Sequence, residues 1–205
     1  PFKLSELPAG LLRQDLQRLP LPAQQRAMAW LHQFNFPSHD AAMLRADPEG
    51  GIHYVDTFTL SGSALPGSGG GVISAISSAD TFVLHSRPGA TRVIYLDFNG
   101  HVISNTAWNQ GRANPLNAVP YSLDADATTF SDSERASIAS IWQRVAEDYA
   151  PFDVDVTTEE PTTWGSTTGR LLITRDSDAN GNAMPSKGAG GVAYVGVFGL
   201  SNYGC

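Results

Sequence analysis

The chain has 205 residues, of which 41% are hydrophobic and 16% are charged, and its formal net charge is −7. This balance is typical of a folded protein and argues against a disordered one. The acidic charge, which no basic cluster interrupts, argues against a nucleic-acid partner held through phosphate contacts. No apolar run is long enough to cross a bilayer. We therefore expect no nucleic acid and no membrane among the partners.

The first segment, residues 1–60, predicts a small helical and β module. Residues 22–36 carry an apolar face at helical spacing, with Pro at a plausible first helical position. That face comprises Ala27, Trp30, Leu31 and Phe34. A second short helix is expected at residues 40–45, and the sequence IHYVDTF at residues 52–58 predicts a strand.

A stretch rich in Gly and Ser follows at residues 61–78. Such a composition is typical of a flexible linker and of a site open to proteolysis. We therefore predict a domain boundary here, with residues 79–205 forming the second domain.

The second domain is predicted to be organised around a helix and the strand that follows it. Ser131 and Glu134 have the spacing of a capping box, so the helix should begin at Ser131. Its apolar stripe comprises Ile138, Ile141, Trp142, Val145 and Tyr149, and Pro151 stops it. Residues 152–158 alternate between apolar and polar side chains, which is the period of a half-buried strand.

Further strands are predicted on both sides of this unit. Residues 92–98 are almost continuously apolar, which suits a strand buried on both faces. Residues 101–130 are expected to form a polar excursion anchored by Trp108 and Tyr121. Residues 169–174 and 191–198 are the remaining strand candidates. A buried strand, a helix and a strand in succession indicate a parallel pair, so the fold class is α/β (α+β).

Metal-binding patterns are incomplete in this sequence. None of the five histidines has the spacing that lets one helical face hold zinc. His101, which follows an Asn-Gly turn, is the one histidine considered for a functional role, and the alternative is that it is a hydrogen-bonding loop residue. Asp176, Asp178 and Asn180 resemble the start of a calcium loop, although Lys187 stands where a bidentate Glu belongs. A plain polar turn is the alternative for these three residues.

The sequence GGVAYVGVF at residues 190–198 resembles the edge strand of reprolysin-like metzincin zinc metallopeptidases of the secreted bacterial type. The run IWQRVAEDYAPFDVDVTT, at residues 141–158, resembles the helix and strand of the same group. The resemblance covers roughly residues 80–205. It implies a metzincin-like N-terminal subdomain, with a twisted mixed sheet of four to five strands, a long helix on one face and a propeptide module before it.

The resemblance also implies a catalytic zinc, held by three histidines of an extended HExxH motif whose Glu is the general base. That motif is absent from this sequence and is expected downstream, so no catalytic or zinc-binding residue is assigned in the chain. Only the substrate-docking edge can be assigned, to Gly191, Val192, Ala193, Tyr194 and Val195. An exposed strand edge offers unpaired backbone groups that an extended peptide can complete.

By the same resemblance, the N-terminal module is a propeptide that contacts the catalytic domain and keeps a zymogen closed. Because no Cys precedes Cys205, a cysteine switch within the module is excluded. Asp56 or His53 could close the site instead, and the alternative is that both are ordinary strand residues. Cys205 is expected to be a structural thiol or half of a disulfide to sequence outside the chain.

The sequence thus predicts part of a secreted zinc metalloendopeptidase zymogen, cut at both ends and inactive alone. Its expected partner is a peptide or protein substrate. The alternative is a non-enzymatic extracellular module that binds peptides or carbohydrate. A third hypothesis is a dedicated protease inhibitor built from a propeptide-like module.

Overall fold

A computed structural model describes residues 2–56, 76–124 and 126–200 of the chain. The helices in these ranges are α1 Leu11–Arg18, α2 Leu21–Leu31 and α3 Asp132–Tyr149. The strands are β1 Leu44–Ala46, β2 Ile52–Asp56, β3 Arg92–Asp97, β4 His101–Ile103, β5 Leu116–Ala118, β6 Val154–Thr157, β7 Thr168–Leu172 and β8 Gly191–Tyr194. The protein is therefore of mixed α/β type, compatible with the α+β class.

The chain forms two compact units. Residues 1–63 belong with residues 185–197, whereas residues 64–184 belong with residues 198–205. The predicted linker at residues 61–78 lies largely outside the described residues. The N-terminal module thus gains a segment from far along the chain, which the sequence-based division at residue 79 did not anticipate.

In the first unit, helices α1 and α2 pack against a three-stranded antiparallel sheet in the order β1-β2-β8. The buried core of this unit comprises Leu7, Leu12, Leu16, Ala27, Leu31, Leu44 and Ile52. Helix α2 confirms the predicted helix but ends at Leu31. No helix was expected at α1, where Leu12 and Leu16 are buried at the i, i+4 spacing.

The short helix predicted at residues 40–45 is a 3₁₀ helix, Ser38–Ala42, followed by β1. Two contacts with β2 explain why the helix does not extend. Val55 donates its backbone N–H to the carbonyl of Met43, and the Tyr54 hydroxyl donates to Asp40 Oδ2 at 2.8 Å. Leu44 is fully buried opposite Tyr54, so pairing with β2 holds this segment extended.

In the second unit, β3 lies between β6 and β7, and both pairings are parallel. This confirms the parallel pair predicted around α3. Helix α3 packs on β6, with Ile138 fully buried and the indole N–H of Trp142 donating to the carbonyl of Val156 at 2.8 Å. The described sheet has three strands, and the fourth predicted strand, β8, lies in the first unit.

The capping box at the start of α3 is confirmed. Ser131 is the N-cap, and its Oγ accepts from the backbone N–H of Glu134 while Glu134 Oε2 accepts from that of Ser131 at 2.8 Å. Glu134 Oε1 also accepts from the backbone N–H of Leu123, at 2.8 Å. The hydrogen bonds from Leu123 and Ser131 lower the pKa of Glu134 to about 2.

The region between β3 and α3 is more regular than a polar excursion. Strands β4 and β5 form an antiparallel pair within it. The predicted anchors are confirmed, because Trp108 packs against the cluster of Ile103 and Leu116, and Tyr121 packs against Phe98 with 5.7 Å between ring centroids.

Among the described residues, no helix combines the length and apolarity needed to cross a bilayer.

Candidate peptide-docking strand

Strand β8 contains four of the five residues assigned to peptide docking, and Val195 follows directly. It lies at an edge of its sheet, as predicted, but that sheet belongs to the N-terminal module. Its neighbour is β2, and strands β3, β6 and β7 form a separate sheet. The position assigned to an incoming peptide is thus paired on one side with a segment of the chain itself.

The β2–β8 pairing is antiparallel, and it joins His53 to Tyr194, Tyr54 to Ala193, Val55 to Val192 and Asp56 to Gly191. Two further backbone hydrogen bonds extend it at its ends. The N–H of Val195 donates to the carbonyl of Ile52 at 3.0 Å, and that of Gly190 donates to the carbonyl of Asp56 at 2.9 Å. Residues 52–56 therefore bind β8 in the way that an extended peptide adds to a sheet edge.

Alternation along an antiparallel pair determines which backbone groups of β8 face β2. Since Val195 is hydrogen-bonded to Ile52, the residues two and four positions earlier, Ala193 and Gly191, also direct their backbone groups toward β2. Val192 and Tyr194 direct theirs to the opposite side. Within the described ranges, no strand pairs with that side of β8.

Tyr194 fixes β8 to the turn between β1 and β2. Its hydroxyl donates to Asp47 Oδ2 at 2.8 Å, and its ring centroid lies 5.3 Å from that of His53. Asp47 is buried, and its Oδ1 accepts from the backbone N–H groups of Glu49 and Gly51. The turn is compact here, because a Cβ on Gly51 would lie 2.5 Å from Asp47 Oδ2 and 3.0 Å from Tyr194 Cε1.

Trp30 fixes the end of β8 to helix α2. Its indole N–H donates to the carbonyl of Val195 at 3.1 Å. The Val195 side chain packs against the buried core of the first unit. The predicted docking residues are therefore brought together, and they are held by groups from the turn at Asp47 and from α2 that sequence reasoning did not assign.

The two residues proposed to maintain latency, His53 and Asp56, both lie in β2. Burial lowers the pKa of His53, so its imidazole is neutral at pH 7. Asp56 is exposed at the end of the strand, and its carbonyl accepts the bond from Gly190. Both are strand residues beside the docking position, and their role in latency stays a hypothesis.

The calcium candidates lie in a turn built around Asp178. This carboxylate is fully buried, and Oδ1 accepts from the backbone N–H groups of Asn180 and Asn182 at 2.9 and 2.8 Å. Oδ2 accepts from the Asn117 backbone and from the Asn182 side chain, each at 3.1 Å. Burial alone would raise the pKa of Asp178, but the bonds from Asn182 and Asn117 outweigh it and lower the pKa. Asp176 accepts a bond from Met184 N through its own carbonyl.

These bonds give the turn a structural explanation that needs no cation, because N–H donors surround both carboxylate oxygens. Across the parts of the chain that the structure describes, no group of three or more His, Cys, Asp and Glu side chains could hold a metal ion. The described residues therefore contain no ligand set for the catalytic zinc that the resemblance implies.

One cluster that the sequence did not indicate joins His85 to two carboxylates. His85 Nδ1 lies 2.6 Å from Asp155 Oδ2, and Nε2 lies 2.8 Å from Glu159 Oε2. Asp155 Oδ1 also accepts from the backbone N–H groups of Ser86 and Arg87, each at 2.9 Å. Burial alone would lower the pKa of His85, but the bonds with Glu159 and Asp155 raise it. The cluster attaches residues 85–87 to β6.

A second cluster surrounds Arg170 of β7. Its Nε lies 3.2 Å from Oδ2 of buried Asp97, its Nη2 donates to Glu160 at 2.9 Å, and its guanidinium lies 4.4 Å from the ring centroid of Trp164. Nη1 lies 2.6 Å from Nε2 of His101. His101 thus contacts an arginine at a strand edge, in keeping with its alternative as a hydrogen-bonding loop residue. These contacts hold β3, β4 and β7 together.

The chain matches no protein-family model, no curated protein and no solved structure. The basis for a functional proposal is therefore the chain's own residues and the sequence resemblance.

Proposed function

We propose that the chain is the propeptide and the N-terminal part of the catalytic domain of a secreted zinc metalloendopeptidase. In this proposal, β8 is the strand on which a substrate peptide docks. The observation that carries the proposal is the antiparallel pairing of β8 with residues 52–56. A strand that binds one extended segment through backbone groups has the geometry to bind another, because such pairing depends little on the side chains of the peptide.

The finer features of the family belong to this proposal. The zinc ligands and the general base are proposed to lie in a following segment of a longer protein. When bound there, zinc would polarise the scissile carbonyl and activate water. The contribution of this chain would be to hold the peptide extended along β8.

The test compares residues 1–205 with the longer protein encoded by the same gene. We expect residues 1–205 alone to leave casein intact, with or without added Zn²⁺. The longer protein should cleave casein once its propeptide is removed, lose activity with a chelator and regain it with Zn²⁺. Zinc-dependent cleavage by residues 1–205 alone would contradict the proposal, and so would a longer protein without an HExxH helix.

The second candidate is a non-enzymatic extracellular module that binds peptides or carbohydrate. It is favoured by the way β8 is held, because the backbone ladder with β2 and the bonds from Trp30 and Tyr194 form without a metal ion. Under this hypothesis the longer protein has no peptidase activity, yet β8 still captures an extended peptide. Titration calorimetry with a capped peptide of the sequence IHYVD, which copies residues 52–56, would measure that binding. An inhibitor function, the third hypothesis, would be measured by titration against an active metallopeptidase.

A further inference from the structure

The outer edge of β6 is covered by residues 84–86, which we name the β6 strap. Strand β6 pairs with β3 along its inner edge. On the outer edge, the Ser86 backbone N–H donates to the carbonyl of Val156, and the Thr158 N–H donates to the carbonyl of Leu84, each at 3.1 Å. The Val156 N–H donates to Ser86 Oγ at 2.8 Å. The strap therefore occupies backbone groups that an edge strand would otherwise present to solvent.

His85, at the centre of the strap, is bonded to two carboxylates, one at each ring nitrogen. Nδ1 lies 2.6 Å from Asp155 Oδ2, and Nε2 lies 2.8 Å from Glu159 Oε2. An ionised carboxylate only accepts hydrogen bonds, so both ring nitrogens must donate, and only the imidazolium has two N–H groups. The His85 side chain is 32% exposed, so solvent can supply or remove the proton.

Deprotonation of His85 removes one of these two bonds. A neutral imidazole keeps one N–H, so the nitrogen that loses its proton places a lone pair against a carboxylate oxygen. Burial alone would lower the pKa of His85, but the hydrogen bonds with Glu159 and Asp155 raise it. The stability that they add is therefore complete below the unfolded pKa of about 6.5 and is lost as the pH rises through the folded value.

The other charged groups around the strap are bonded elsewhere. Arg87 donates to a backbone carbonyl at 2.6 Å, and Asp153, which precedes β6, accepts from a threonine hydroxyl at 2.6 Å. Glu160 accepts from the arginine of β7 at 2.9 Å. Asp155 and Glu159 are thus the charged groups that face the imidazole directly, and both favour its cation.

We propose that the β6 strap is pH-sensitive, being held on β6 while His85 is protonated and released when the ring is neutral. Release leaves backbone groups of Val156 and Thr158 without their partners and uncovers the outer edge of β6. An uncovered edge can pair with another strand, so the pH sets whether this side of the sheet is available. The proposal does not rest on the proposed function, because the strap and β6 lie in one compact unit and the test needs no peptidase activity.

The experiment follows amide hydrogen exchange of residues 1–205 from about pH 5.5 to about pH 9, on both sides of the ordinary histidine pKa. Dividing each rate by that of the unfolded chain at the same pH gives a protection factor. We expect the protection of Ser86 and Thr158 to fall about tenfold or more as the ring titrates, which is the effect of losing one hydrogen bond to a charged group. Amides of α2, in the other unit, should keep their protection.

E159Q separates this mechanism from a merely structural contact. Its side-chain amide can donate to Nε2 of the neutral ring while Nδ1 still donates to Asp155, so the strap should stay protected at both ends of the pH range. H85Q cannot titrate and should lose the pH dependence as well. E147Q and H39Q are the matched controls, because both residues are exposed and bonded to other side chains, and each variant should keep the pH dependence of the parent.

Three outcomes would overturn the proposal. One is a His85 ring that stays protonated to about pH 9 in NMR spectra of its nitrogens. Another is unchanged protection of Ser86 and Thr158 while those spectra show the ring losing its proton. The third is an E159Q variant with the same pH dependence as the parent. E159A replaces E159Q if that variant does not fold, since removal of the carboxylate also removes its repulsion of the neutral ring nitrogen.

Discussion

Replacement of Gly51 by Ala tests the packing that fixes β8. The new Cβ would lie 2.5 Å from Asp47 Oδ2, and this oxygen must retreat by about 0.9 Å to reach an ordinary contact distance of 3.4 Å. The same oxygen accepts the Tyr194 hydroxyl, so the bond between β8 and the turn should break. The lost hydrogen bond involves a buried carboxylate, and such bonds contribute about 1.5–3 kcal/mol.

A loss of about 2 kcal/mol corresponds to roughly a 30-fold change in a local opening equilibrium. Amide hydrogen exchange followed by mass spectrometry measures this directly. In G51A, peptides that contain residues 52–56 and 191–195 should exchange about 30-fold faster than in the parent. Peptides from β3 should keep their rates, because that strand belongs to the other unit.

G191A is the matched control. A Cβ on Gly191 meets no atom within 4 Å, although the residue lies in the same strand pair. Its exchange should stay within a few-fold of the parent, or slow slightly because Ala restricts the unfolded chain. The reasoning is refuted if folded G51A exchanges at the parent rate in β8, or if G191A accelerates exchange as much as G51A does.

Two pH-dependent predictions concern the second unit. The pKa of Glu134 is lowered to about 2, so the stability that its bonds contribute is present above the unfolded pKa of about 4.5 and is lost as the pH falls toward 2. Urea unfolding should show a steeper loss of stability between pH 5 and 2 in the parent than in E134Q, and equal slopes would contradict this. The pKa of His85 is raised, so its contribution is complete below the unfolded pKa of about 6.5 and is lost as the pH rises through the folded value. Thermal unfolding should therefore show a decline above pH 6.5 that H85Q removes and that H39Q, at an exposed position, keeps.

Local signals were sufficient to predict the helix–strand unit of the second domain. The capping box at Ser131 and the almost continuous apolar run of β3 each specify structure within a few residues, and the parallel pairing follows from their order. Other features depend on residues far apart in sequence. The alternation at residues 152–158 predicted a half-buried strand, yet β6 is buried throughout, because Asp155 finds its partners about 70 positions earlier.

Strand β8 shows the same contrast between features specified locally and features that depend on residues far apart in sequence. Its residues predicted a strand, and the family resemblance predicted that this strand lies at the edge of a sheet, where the structure has it. Its partner could not be predicted, because nothing within residues 185–200 indicates a match to residues 52–56. Trp30 and Asp47 were missed for the same reason. A tryptophan on an apolar helical face and an aspartate in a turn each have ordinary local explanations.

The separation between β2 and β8 has a consequence for biosynthesis. Asp47 and Tyr194 are 147 residues apart, and translation proceeds at about 5–20 residues per second, so roughly 7–30 s pass between the synthesis of the two. During that interval the nascent module has its helices and a hairpin, but the outer edge of β2 has no partner. An unpaired edge attracts the strands of other chains. Until Val195 has been made, the module therefore carries a strand edge with which a neighbouring nascent chain can pair.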